Sequence, residues 1–252
     1  RFDRTTTVLL DMENMTLVGL VAAGREAAVV RLSAEAEDRI RAGRALVDQW
    51  VAEERRIYGV TTGFGALSDV AISKKDTRRL QENILMSHAS GVGEPLAAET
   101  VRAVMTLRVK DFARGHSGIR LETARQLLEL LNRGILPVVP EKGSVGASGD
   151  LAPLAHLSLV LLGKGEAVYG GARMSGADAL AACGLKPLEL ASAEGLALVN
   201  GTQVMTAIGG LAVYDAVRLS KLIDIGASMA LEVLMGSRTE FNPRIHHVRP
   251  HR

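Results

Sequence analysis

The sequence predicts a mainly α-helical protein with one small β-hairpin. Three observations carry that prediction. Apolar residues recur at helical spacing along most of the chain, capping residues and glycines punctuate those stretches, and a single segment, EAVYGGARM, has hairpin chemistry.

Taken in order, Ser33 stands ahead of a stretch in which Ile40, Val47, Trp50 and Val51 fall on one helical stripe. Its hydroxyl can accept from an orphan N–H of the first turn. A glycine-broken loop follows, IYGVTTGFGALSDV, from Ile57 to Val70. The segment SKKDTRRLQENILMSHASG opens with Ser73 and Asp76 in capping-box spacing and predicts a helix running to Gly91. Two further helices are predicted, from Ala98 to Arg114 with Gly115 as a stop and from Leu121 to Arg133 with Gly134 as a stop. EAVYGGARM then turns at Gly170-Gly171. From Gly201 to Met235 the helical pattern is apolar on nearly every face, which implies burial on all sides and hence an oligomeric helical bundle.

Composition excludes several classes. Across 252 residues, 30 Lys and Arg against 28 Asp and Glu leave a net charge of +2, and no basic run with interleaved aromatics argues for nucleic acid. The one cysteine, Cys183, forms no internal disulfide and no Cys-rich metal site, which suits a reducing compartment; the cytoplasm is the expectation. Asp11 and Glu13 interrupt the N-terminal apolar stretch, so it does not read as a signal peptide. The later stretch VMTAIGGLAVY meets Asp215 and Arg218 before the roughly 20 residues a membrane span needs, so a soluble protein is expected. His246 and His247 lack metal-ligand spacing and read as surface residues.

The most informative stretch is KGSVGASGDLAPLAHLSLVLLGKG, Lys142 to Gly165, with glycines at 143, 146 and 149. It is not a P-loop, because Asp150 follows Gly149 where Lys-Ser or Lys-Thr would be needed. The dinucleotide spacing is wrong, and a nucleophile elbow fails by one residue. On composition alone a plain loop with Asp150 as helix N-cap is favoured. A chemical reading stands beside it: the amide nitrogen of Gly149 attacks the carbonyl carbon of Ala147, a five-membered ring closes as that carbonyl oxygen leaves as water, and Ser148 loses its hydroxyl as a second water. Backbone attack of that kind needs small residues in a tight bend.

Together with YGVTTGFG, SHASGVGEPL, EGLALVNGTQ and GSRTEFNPRIH, this stretch resembles the aromatic amino acid ammonia-lyases and aminomutases, most closely the histidine ammonia-lyases, over essentially the whole chain. The resemblance implies a helical lyase fold with the hairpin and loop region around a prosthetic group. That group is 4-methylideneimidazole-5-one (MIO), formed autocatalytically from Ala147, Ser148 and Gly149. It implies Tyr58 as the base that removes the substrate's β-proton. His88, on the stripe of Leu80 and Ile84, would line the substrate pocket, and Asn200 would stand near the substrate amine. The bland readings are a structural tyrosine at a turn, a hydrogen-bonded buried histidine, and an N-cap ahead of Gly201. Gly65 and Leu196 fall inside matched motifs as backbone or wall positions.

A phenol is barely ionised at neutral pH, so a tyrosine base needs positive potential around it. A helix start behind the ring would stabilise negative charge developing there.

Family members are about twice as long, work as homotetramers and share site residues between subunits. On that basis residues 1–200 form an active-site domain, and residues 201–252 begin a central bundle that is truncated here. The expected reaction is loss of ammonia from L-histidine to give urocanate, with the small aromatic amino acid as partner and no metal, nucleic acid or membrane. The alternatives are a tyrosine or phenylalanine ammonia-lyase, a tyrosine 2,3-aminomutase, and a catalytically silent truncated subunit that acts as an assembly partner.

Overall fold

The computed structural model describes residues 7–12, 15–62, 74–143 and 149–250, with backbone only at 74–77. The chain forms two compact units, Arg1–Leu211 and Ala212–Arg252.

In the first unit a short strand, β1 (Thr7–Leu10), leads into α1 (Leu17–Arg25), whose first turn is capped by the Thr16 hydroxyl accepting from the Gly19 N–H at 3.1 Å. Strand β2 (Val29–Leu32) returns parallel to β1. The helix α2 (Ala34–Ala52) starts where the sequence places it, with the Ser33 hydroxyl accepting from the Ala36 N–H at 3.0 Å. Next comes α3 (Lys74–His88), which ends at His88 rather than at Gly91. Ser73 and the Asp76 side chain lie outside what is described. Strand β3 (Val92–Pro95) precedes α4 (Ala98–Phe112), and the Gly115 N–H bonds back to the Phe112 carbonyl at 2.9 Å. Helix α5 (Leu121–Arg133) has the predicted bounds, ended by a left-handed Gly134.

Two strands the sequence does not announce follow, β4 (Leu136–Pro137) and β5 (Pro140–Lys142), with β5 antiparallel to β3. Two to four residues carrying glycine and proline give no alternating pattern to read. Helix α6 (Leu151–Leu159) continues into a 3-10 turn. The predicted hairpin is present as β6 (Glu166–Tyr169) and β7 (Ala172–Ser175), and β4 adds to it as a third strand. Helices α7 (Gly176–Ala182) and α8 (Glu194–Val199) then lead to α9 (Gln203–Val233).

Helix α4 is the core of this unit. Val101, Val104, Met105, Val109 and Phe112 are buried on it, and it packs on α1 and α5. The buried Arg102 ties the three together, donating to the Ala23 carbonyl at 2.9 Å and the Leu131 carbonyl at 3.2 Å. A second packing group joins α3, α6 and α8.

The second unit holds the rest of α9, a 3-10 turn at Thr239–Phe241, and α10 (Pro243–Val248), capped by Asn242. The burial on all sides expected of the long helix belongs to an oligomeric bundle, which a single chain does not test. Along α9 only Val204, Ala207 and Leu211 are buried, while Leu219, Leu222, Ile223 and Met229 stand exposed. A helix apolar all round needs partners all round, and among the described residues the buried positions of α9 lie in its first turns. Glu194–Val233 contains a window of mean hydropathy 1.5, long and apolar enough to cross a membrane by length and composition. The core helix of a water-soluble protein meets the same criterion.

Candidate active site

Both flanks of the Ala-Ser-Gly loop are pinned. On the incoming side, Val92 pairs with Lys142, and Gly143 follows so close to Gly91 that a Cβ on Gly143 would stand 2.9 Å from the Gly91 Cα. The Gly91 N–H donates to Nε2 of His156, on α6, at 3.0 Å. That bond requires the imidazole to be neutral at Nε2, and burial pushes the His156 pKa below its usual 6.5. Strand pair and following helix are thereby stitched together around the loop.

On the outgoing side, Gly149 has φ +90°, a conformation that only glycine adopts at low cost. Asp150 then stands at the N-cap position of α6 but makes no side-chain cap there. Its buried carboxylate instead accepts from the N–H groups of Val204 at 3.0 Å and Met205 at 3.1 Å, capping the first turn of α9. Spacing alone assigns Asp150 to the helix that follows it, whereas the fold gives it to Val204 on α9, 54 residues further on. Ala147 and Ser148 lie outside the described residues. The described flanks, two close glycines at one end and a positive-φ glycine at the other, fit a ring made from a compressed backbone.

Tyr58 sits in the turn after α2, which is closed by the Ile57 N–H donating to the Thr61 hydroxyl at 2.9 Å. It lines a cleft of about 580 Å³ together with Trp50, Arg108, Arg114, His116 and Asn200. Asn200 ends α8 as its C-cap, its N–H bonded to the Leu196 carbonyl at 2.9 Å. It is therefore not the N-cap that its place before Gly201 suggests, because φ −90° and ψ 114° close one helix and the α9 cap comes from Asp150. Leu196 lines the same cleft.

The structure thus brings Tyr58 and Asn200 to one cleft. His88 is not among the residues lining that cleft. Half-buried at the end of α3, its Nδ1 donates to the Ile84 carbonyl at 2.8 Å, the hydrogen-bonded arrangement that its helical stripe allows.

Sequence reading missed Arg108. It lies 2% exposed on α4, between the Ala197 and Asn200 carbonyls and over the Phe112 ring at 4.9 Å. Burial pushes its pKa down to about 10, and the nearby Asp111 carboxylate opposes the shift, so it is a cation at neutral pH. The signal was present: Val101, Met105, Arg108 and Phe112 form one helical stripe, and a single arginine on an apolar stripe marks a buried charge. Arg108 and Arg114 line the cleft that holds Tyr58, together with the Asp111 carboxylate. Among the described residues, no three His, Cys, Asp or Glu side chains converge as a metal site, and His246 and His247 are exposed.

The profile of the aromatic amino acid lyases matches residues 15–252. The chain is 54% identical over 244 residues to the histidine ammonia-lyase of Alkaliphilus oremlandii, a match covering 97% of this chain and 48% of that protein. Among solved structures, histidine ammonia-lyase from Trypanosoma cruzi superposes with a TM-score of 0.91 at 40% identity, covering 98% of this chain and 48% of that one. Pantoea agglomerans phenylalanine aminomutase superposes with a TM-score of 0.90 at 35% identity, over 98% and 48% of the two chains. The chain spans about half the length of the curated relatives it matches. From the helical fold, the held flanks of the glycine-rich segment and these likenesses together, the chain belongs to the aromatic amino acid lyase family.

Proposed function

We propose that this chain contributes the Tyr58, Asn200 and Ala147-Ser148-Gly149 part of a histidine ammonia-lyase, which removes ammonia from L-histidine to give urocanate. The observation that carries the reading is the common cleft of Tyr58 and Asn200 beside the buried cation Arg108. Its support for histidine is the 54% identity to a protein of that name. Formed from Ala147, Ser148 and Gly149, MIO would supply an electrophile for the substrate's amine.

The chain's own residues do the rest. Tyr58 takes the proton from Cβ, the Cα–N bond breaks with formation of the carbon–carbon double bond, and nitrogen leaves as ammonia. Asn200 orients the amino group; the family resemblance assigns the side-chain end of the substrate to His88, which stands outside the Tyr58 cleft of this chain. Arg108 and Arg114 line the same cleft as Tyr58, with the Asp111 carboxylate beside them. The reaction moves a proton and breaks one C–N bond without oxidation, so positioning and charge are what the protein has to provide. A homotetramer working in the cytoplasm completes this reading.

A phenylalanine or tyrosine lyase or aminomutase is the second reading, favoured by the likeness to the Pantoea agglomerans aminomutase. Incubation of the protein with histidine, tyrosine and phenylalanine, following ammonia release, separates the two. Urocanate formed from histidine alone supports the proposal; selective turnover of tyrosine or phenylalanine, or appearance of a β-amino acid, overturns it.

A further inference from the structure

Keeping a cation at position 108 is costly. A methionine or leucine on the stripe of Val101, Met105 and Phe112 would pack there without desolvating a charge. Among the described residues, the carboxylate that pairs with the guanidinium is that of Asp111, 3.6 Å away and half exposed. Its partners are otherwise neutral oxygens, and all of them belong to one short stretch of chain. Nη1 donates to the Asn200 carbonyl at 2.9 Å and to Oε1 of Gln203 at 2.8 Å, and Nη2 donates to the Ala197 carbonyl. The stretch begins in the last turn of α8, passes through Asn200, and ends at the first residue of α9.

Gly201 makes the approach possible. A Cβ there would collide with both Arg108 Nη1 and Gln203 Oε1. From the far side the Asp150 carboxylate holds Val204 and Met205. Residues 197–205 are therefore clamped between a guanidinium from α4 and the carboxylate that directly follows the Ala-Ser-Gly loop.

We propose that Arg108 is a positioning residue, whose planar fork fixes the Ala197–Gln203 turn so that the Asn200 side chain faces the amino group of an aromatic amino acid substrate. The inference rests on the reaction proposed above. Arginine suits the task because a rigid fork serves several acceptors in one plane, whereas an ammonium is a point charge that reaches one or two of them.

The test uses Arg108→Met, Arg108→Lys and Gly201→Ala in the protein as it is active, read by amide hydrogen exchange across residues 197–205 and by steady-state kinetics with L-histidine. Gly201→Ala displaces the guanidinium without deleting it, and so serves if Arg108→Met does not fold. The expected result is faster exchange at 197–205 with α5 unchanged. It comes with a fall in kcat of about 10- to 100-fold, the scale of a misplaced catalytic group, and a smaller change in KM. Arg108→Lys recovers part of the loss.

Unchanged exchange at 197–205 in the variants that fold, or faster exchange with wild-type kcat, overturns the inference. If the unaltered protein turns over no aromatic amino acid, the functional reading falls. The exchange measurement then decides the clamp by itself, and protection that survives loss of Arg108 contradicts it.

Discussion

His156 and Asp150 act at the scale of single hydrogen bonds, and both concern how the glycine loop is held. Replacing His156 by leucine leaves the half-buried Gly91 N–H without its acceptor, at a cost of about 1 kcal/mol. Urea unfolding at neutral pH measures that loss. Because burial lowers the imidazole pKa in the folded state, the His156 contribution is whole above pH 6.5 and is lost as pH falls below it. The stability gap between wild type and His156→Leu therefore narrows on acidification. For Asp150→Ala, removing the cap of α9 costs about 1–2 kcal/mol, and Asp150→Asn keeps part of it through its remaining oxygen. Residue types were legible here, but partners were not. The Gly149-Asp150 pair reads as a loop and its own cap, since sequence spacing reports local bonds and says nothing of Val204.

At the scale of elements, two carboxylates fasten helices to one another. Glu194, fully buried at the start of α8, accepts from the Arg120 N–H, the Arg120 side chain, the Thr123 hydroxyl and the Ala191 N–H. Glu194→Gln strands part of a buried charge pair and is expected to cost about 3 kcal/mol, measured as a drop in unfolding free energy. Glu37 links α2 to Arg125 on α5 at 2.9 Å, a partly exposed bridge worth about 1 kcal/mol or less. Arg125 holds the Glu37 carboxyl below its usual 4.5, so its contribution is present above that pH and lost as pH falls through the lowered value. Melting curves of Glu37→Gln should differ from wild type at pH 7 and converge in acid. Helices were the readable part of this fold: Ser33 and Gly134 mark their ends with local chemistry. Strands such as Val92–Pro95 were not readable, because they are defined by a partner distant in sequence and carry no pattern of their own.

At the scale of the molecule, the apolar surface along α9 sets association. Leu219, Leu222, Ile223 and Met229 expose a continuous run of side chains that water disfavours. The chain alone should elute as an oligomer in size-exclusion chromatography with light scattering, and Leu222→Glu with Ile223→Glu should shift it toward monomer. An unaltered chain that stays monomeric would contradict this. The sequence foretold the stripe and its need of an oligomeric partner, since an all-apolar helix signals cover that a chain this small has few places to provide.

The central claim is chemical: Ala147, Ser148 and Gly149 close into the ring that a lyase of this family uses. An intact mass of the purified protein, with peptide mapping across Lys142 to Lys164, tests it most directly. The account predicts a deficit of two waters confined to the peptide carrying Ala147-Ser148-Gly149. The full unmodified mass at that peptide would contradict it, leaving a chain with the family's fold and none of its chemistry.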